Sequence, residues 1–191
     1  MRVGLFFGSF NPIHVGHLML AQYMVNFADV DEVWLVVSPQ NPFKQDVELA
    51  DTQHRLNMAR LAVGDNEKIK ISEVELSLPK PSYTIDTLRA LEKEYPEIEF
   101  SIIMGADNLM GLNRWKEVET LLSRYRIIVY PRPGYEAKEP EGAHIEIVDA
   151  PQVDISSTQL RRWIGEGRSV LYFTNDKVIE YFSQNNLYNK K

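Results

Sequence analysis

Stretches with strand character alternate with stretches of helical spacing along this 191-residue chain, which predicts an α/β fold with a mainly parallel sheet flanked by helices. Two further observations agree. The leading run Val3-Gly4-Leu5-Phe6-Phe7 is apolar without a break, as a strand covered on both faces must be. The segments richest in glycine, proline, histidine and arginine follow strands, and an open parallel sheet binds its ligands beyond the carboxyl ends of its strands.

Taken in order, residues 3–7 read as the first strand. Residues 14–28 carry Val15, Leu18, Met19, Tyr23 and Phe27 at helical spacing. Residues 33–37 are a second strand. Pro39-Gln40-Asn41-Pro42-Phe43-Lys44 is a loop, because its two prolines break ladders and helices alike. Residues 52–63 are helical, and 69–76 read as one or two short strands. Residues 84–94 form a helix with Ile85, Leu88 and Leu91 on one face. Residues 99–104 are a strand, 114–123 a helix and 126–130 a strand. Pro131-Arg132-Pro133-Gly134 is a turn. Residues 145–148 are the last strand, and 157–165 and 176–185 are closing helices. No repeat, low-complexity tract or linker divides the chain, so residues 1–191 are expected to form a single domain.

Composition narrows the class of function. With 44% hydrophobic and 25% charged residues the chain has the profile of a soluble globular protein. A net charge of -6 without a basic run argues against nucleic acid or an anionic membrane as partner. Any bound phosphate must be met by a few local cations. The absence of cysteine excludes disulfides, thiolate metal sites and cysteine nucleophiles, and fits a cytoplasmic protein. Met1-Arg2 leads straight into a strand rather than a signal peptide, and no apolar stretch is long enough to cross a bilayer.

Two strings carry the chemistry. Gly8-Ser9-Phe10-Asn11-Pro12-Ile13-His14-Val15-Gly16-His17 is a glycine-started turn between a strand and a helix. Histidines three apart share a helix face, so both imidazoles point at the helix N-terminus, where free N–H groups and the dipole favour phosphate. Gly8 lets a phosphate approach the backbone, and Gly16 keeps the surface bare between the rings. Taken singly, these residues are turn punctuation and solvated side chains; the whole string in its context is what signals a site. In Asp154-Ile155-Ser156-Ser157-Thr158-Gln159-Leu160-Arg161, Ser156 or Ser157 caps a helix. Ser157 and Arg161, four apart, share a face and offer a second anion site.

With both strings in view the chain resembles the nucleotidyltransferase superfamily marked by paired histidines, here His14-Val15-Gly16-His17. Within it, the bacterial nicotinate-nucleotide adenylyltransferases are the nearest match. The narrowing segments are Pro81-Ser82-Tyr83-Thr84-Ile85-Asp86-Thr87-Leu88, Gly105-Ala106-Asp107-Asn108-Leu109 and Trp115. The resemblance implies a Rossmann-like, doubly wound sheet of nucleotidylyltransferase type. It also implies transfer of the adenylyl group of ATP to nicotinate mononucleotide, giving nicotinate adenine dinucleotide and pyrophosphate, a step of NAD synthesis. His14, His17 and Arg161 are then the catalytic group. Gly8, Ser9, Phe10, Gly16, Gly105, Asp107, Ile155, Ser156 and Ser157 join them in holding ATP, with Gly105 and Asp107 at the ribose. Tyr83, Thr84, Trp115 and Lys116 take the nicotinate, the indole stacking on its ring. Lys44 and Arg132 are assigned to the mononucleotide phosphate. Magnesium is expected on the substrate phosphates rather than in a protein cage, so no residue is named as its ligand.

Three positions depart from the family pattern, of which Leu160 for isoleucine is a packing swap. Asn11 stands where many relatives carry aspartate, and keeps the turn-forming ability. Phe43 stands where relatives often carry histidine, which leaves Lys44 to act alone. The superfamily motifs by themselves also fit other phosphorylated acceptors: nicotinamide mononucleotide, phosphopantetheine or FMN. A nucleotide-binding sensor without catalysis is a further alternative. Oligomeric state is open, a homo-oligomer included.

Overall fold

The computed structural model describes residues 1–40, 49–135 and 144–189. Six strands form one sheet: β1 (Arg2–Gly8), β2 (Glu32–Val37), β3 (Ile69–Ser72), β4 (Glu99–Gly105), β5 (Arg126–Tyr130) and β6 (Ile145–Ile147). Their order is β3-β2-β1-β4-β5-β6, and every neighbouring pair runs parallel. The strand order reverses beside β1, the switch point where such sheets open a crevice for ligands.

The helices are α1 (Val15–Phe27), α2 (Thr52–Val63), α3 (Thr84–Glu94), α4 (Ala106–Leu109), α5 (Val118–Arg124), α6 (Ser157–Gly165) and α7 (Asp176–Gln184). Among the described residues no helix is long and apolar enough to cross a membrane. Successive strand side chains face opposite sides, and here both sides are covered. Phe6, Val33, Leu35, Ile103 and Ile128 pack in one core with Ala21, Met24, Leu56 and Leu160. Val3, Leu5, Val36, Ile102 and Ile127 pack in the other with Ile85, Leu88 and Leu121. Two-sided burial is why β1, β2 and β5 read as nearly unbroken apolar runs, while the edge strands β3 and β6 carry Lys70 and Glu146.

Three local expectations change. The segment 69–76 is a four-residue strand followed by a 3-10 turn, Val74–Leu76. The segment 114–123 is not one helix: Leu112–Arg114 is a 3-10 turn, Trp115 is extended, and Glu117 takes left-handed φ 52 before α5 begins. In α1 the buried positions are Gly16, Ala21 and Met24, while Met19 and Phe27 are exposed. Small side chains on that face let the helix close onto the sheet, so bulk does not mark the buried side.

Candidate active site

The carboxyl ends of β1, β4 and β5 open into a cleft of about 410 Å³ whose walls include Gly8, Ser9, Phe10, His14, Gly16, His17, Asp107, Arg132, Ile155, Ser156, Ser157 and Arg161. The turn after β1 is shaped by Phe10, which takes φ 46 and folds its ring back over Gly8. A Cβ on Gly8 would lie 2.8 Å from that ring. Gly8 is therefore required by its neighbour's ring, and the left-handed residue of the turn is Phe10.

His14 is the residue just before α1, and His17 is the third residue within it. Their rings stack with centroids 3.7 Å apart, and the His14 N–H donates to His17 Nδ1 at 3.2 Å. A ring nitrogen that accepts carries no proton, so any ring donor of His17 is at Nε2. The Phe10 ring stands edge-on to His17 at 5.0 Å and fixes its plane. His14 is 5% exposed, and its Nδ1 is buried without a hydrogen-bond partner. Burial, with the charge of Arg132 nearby, lowers its pKa to about 4. It is a neutral imidazole at pH 7. The Val15 N–H, one of the first-turn donors, is already taken by the Phe173 carbonyl.

The lead-in to α6 closes the other wall. Ser156 caps the helix in a capping box with Gln159. Ser157 Oγ donates to the Pro12 carbonyl at 2.9 Å, and Arg161 donates from one nitrogen to the Asn11 carbonyl at 2.8 Å. Gly16 is bare for this contact as well as for a ligand: a Cβ there would meet Ile155 at 3.0 Å and the His14 ring at 3.1 Å. Behind the turn, Asn11 Oδ1 accepts from the Ala50 N–H at 3.2 Å and from Tyr188 at 2.8 Å.

At the end of β4, Asp107 Oδ1 and Arg132 Nε face each other at 3.5 Å, both buried and short of a hydrogen bond. Gly105 lies behind them, where a Cβ would sit 2.3 Å from Asp107 Oδ1. Arg132 thus stands on the wall of the large cleft beside Asp107, apart from Trp115. Lys44 lies outside the described residues.

A second pocket, of about 90 Å³, adjoins the first and shares Phe7, Gly8 and Asn108 with it. Tyr83, Thr84, Trp115 and Lys116 line it. The Lys116 ammonium is held by both oxygens of Asp86 at 2.9 and 2.8 Å, and lies 5.2 Å over the Tyr83 ring. What remains for a ligand is an indole face and the start of α3. Glu75, Ser82 and Ser38 also line this pocket, and sequence reasoning missed all three. Strand alternation through 69–76 would put Glu75 on the face of Ile69 and Ile71; the 3-10 turn Val74–Leu76 turns it into this pocket instead.

Arg55 was equally invisible in the sequence. It is 1% exposed, and its five N–H groups donate to Ala50, Ser9, Ser38 and Pro39 carbonyls and to Thr52 Oγ1, at 2.7 to 3.2 Å. An arginine at the fourth position of an amphipathic helix gives no signal that it points inward.

The cytidylyltransferase-like family matches residues 5–163. A relative from Flavobacterium johnsoniae, named "Probable nicotinate-nucleotide adenylyltransferase", is 48% identical over 193 residues, all of this chain and all of that protein. One of the same name from Bacteroides fragilis is 42% identical over 96% of this chain and 92% of its own length. Among solved structures, the Plasmodium falciparum nicotinic acid mononucleotide adenylyltransferase complexed with NaAD superposes with a TM-score of 0.83. It is 22% identical, covering 98% of this chain and 97% of that one, and so attests the shared fold.

Proposed function

The chain belongs to the cytidylyltransferase-like family, among the relatives named for nicotinate-nucleotide adenylyl transfer, and on that premise we propose that it joins ATP to nicotinate mononucleotide, giving nicotinate adenine dinucleotide and pyrophosphate. The observation that carries this reading is the meeting of His14, His17 and Arg161 on one cleft that opens, at Gly8, into an indole-walled pocket.

A phosphate oxygen of the mononucleotide bonds to the α-phosphorus of ATP, and the bond from that phosphorus to the bridging oxygen of pyrophosphate breaks. The attacking phosphate is anionic at neutral pH, so no general base is needed. The protein's work is alignment of mutually repelling anions and stabilisation of the charge shed onto pyrophosphate. The His17 imidazole and the Arg161 guanidinium, both on the cleft, meet that charge. His14, uncharged, holds His17 in plane and adds a dipole rather than a cation. Because the Ser157 hydroxyl proton is spent on Pro12, Ser156 and Ser157 serve through the N-terminal backbone of α6. Gly8, Ser9, Phe10, Gly16 and Ile155 shape the wall, and Asp107, with Gly105 clearing its approach, takes a ribose hydroxyl. Arg132 serves phosphate from the large cleft, and Lys44 is the remaining candidate for the mononucleotide phosphate. Trp115 stacks on the pyridine, with Thr84 and the backbone N–H groups near Tyr83 and Lys116 at its carboxylate.

Among the described residues no group of three His, Cys, Asp or Glu converges as a cation cage. Magnesium is assigned to the ATP phosphates and arrives as part of that substrate. The chain acts as one domain in the cytoplasm on small-molecule substrates. Pyrophosphate release from ATP, measured with nicotinate mononucleotide beside nicotinamide mononucleotide, phosphopantetheine and FMN, tests the reading. Release is expected with the pyridine acceptors, nicotinate foremost; ATP binding without release would make the chain a sensor.

A further inference from the structure

Glu75 is 2% exposed and lines the indole-walled pocket. Its Oε1 accepts from the Thr87 hydroxyl at 2.9 Å. Its Oε2 is buried with no hydrogen-bond partner, and so is the Ser82 hydroxyl on the same pocket. No charged group among the described residues compensates the carboxyl: the Lys116 ammonium across the pocket belongs to Asp86. Oε2 and the Ser82 hydroxyl lie near each other but short of a well-formed hydrogen bond, and keep capacity that a ligand in this small cavity can complete.

The mononucleotides differ at one group. A 3-carboxylate on the pyridine ring presents acceptors only; a 3-carboxamide presents an acceptor and an N–H donor. A protonated Glu75 donates to the carboxylate. An ionised Glu75 repels the carboxylate and accepts from the amide, while Ser82 donates to the oxygen of either. We propose that Glu75 reads the 3-substituent of the acceptor, admitting a carboxylate while it holds its proton and a carboxamide once the proton is lost. This rests on the reading that the acceptor is a pyridine mononucleotide. Burial raises the pKa of Glu75; the hydroxyls of Thr87, Ser38 and Ser82 around it pull the other way.

The test is the ratio of kcat/KM for nicotinate mononucleotide to that for nicotinamide mononucleotide, from about pH 5.5 to about 9. The phosphate is common to both acceptors, so its titration cancels in the ratio. The ratio is expected to fall with rising pH, by up to about tenfold per unit above the Glu75 pKa, and to lose its pH dependence in Glu75→Gln, which has no proton to give up. Thr87→Val removes a donor that steadies the ionised form, and should move the midpoint to higher pH. This variant decides the matter if Glu75→Gln does not fold. A flat ratio in the unaltered enzyme, a slope that survives Glu75→Gln, or a midpoint indifferent to Thr87→Val overturns the assignment. Failure of both mononucleotides to release pyrophosphate would instead overturn adenylyl transfer itself, and this inference with it.

Discussion

The two stacked imidazoles divide their work by environment. His14 is buried and uncharged, and His17 is held by the His14 N–H and the Phe10 edge with its ring on the cleft wall. Neutrality of His14 has a stability consequence. Its pKa is about 4 in the folded chain against 6.5 for the free residue. As pH falls below 6.5 the unfolded chain takes a proton that the native ring refuses, so native stability declines. The loss reaches about 3 kcal/mol by the folded pKa and then levels off. Urea unfolding over that interval should show the decline, and His14→Gln should remove this portion of it; an unchanged slope would place His14 in a wetter setting. His17→Ala is expected to abolish pyrophosphate release with the urea midpoint nearly unmoved, because the ring lies on the cleft wall rather than in a core.

At the level of elements, the site is a junction between the turn after β1 and the lead-in to α6, joined by Ser157 to Pro12 and Arg161 to Asn11. Gly16, in the first turn of α1, has no room for a side chain against this lead-in. Gly16→Ala gains about 1 kcal/mol of helix propensity but drives a methyl into Ile155 and the His14 ring. Kinetics should show KM for ATP raised about tenfold or more, from displacement of both anion-binding groups by a few tenths of an ångström; wild-type KM would mean the wall yields freely. Both strings were legible in the sequence because backbone chemistry writes them: glycine where rings crowd, serine at a cap, histidines at one helix turn. The four central strands, β2, β1, β4 and β5, were legible because each is buried on two faces. Side chains turned by irregular backbone were not. Residues 69–76 read as strand, which gave no sign that a 3-10 turn carries Glu75 into a pocket, and Trp115 looked helical although left-handed Glu117 precedes the helix there. Arg55 spends its fork on four carbonyls from the connections after β1 and after β2, contacts that no spacing rule anticipates.

The whole molecule sets two compartments on either side of the switch point, and Gly8 with Phe7 and Asn108 is their common wall. This arrangement makes the substrates separable by mutation. Trp115 belongs to the smaller pocket alone and is only half-buried against the core beneath it. Trp115→Ala should therefore raise KM for nicotinate mononucleotide by about ten- to a hundredfold, the loss of about 1.5–3 kcal/mol of ring contact, while ATP affinity by calorimetry stays near its original value. Arg161→Met should do the reverse, because the guanidinium touches only the larger cleft. Gly8→Ala alone should injure both: its methyl must displace the Phe10 ring, which packs on His17 on one side and borders the shared wall on the other. If Trp115→Ala weakened both substrates equally, the indole would be a strut between the compartments, and the acceptor would have to be sought elsewhere along the rim of the sheet.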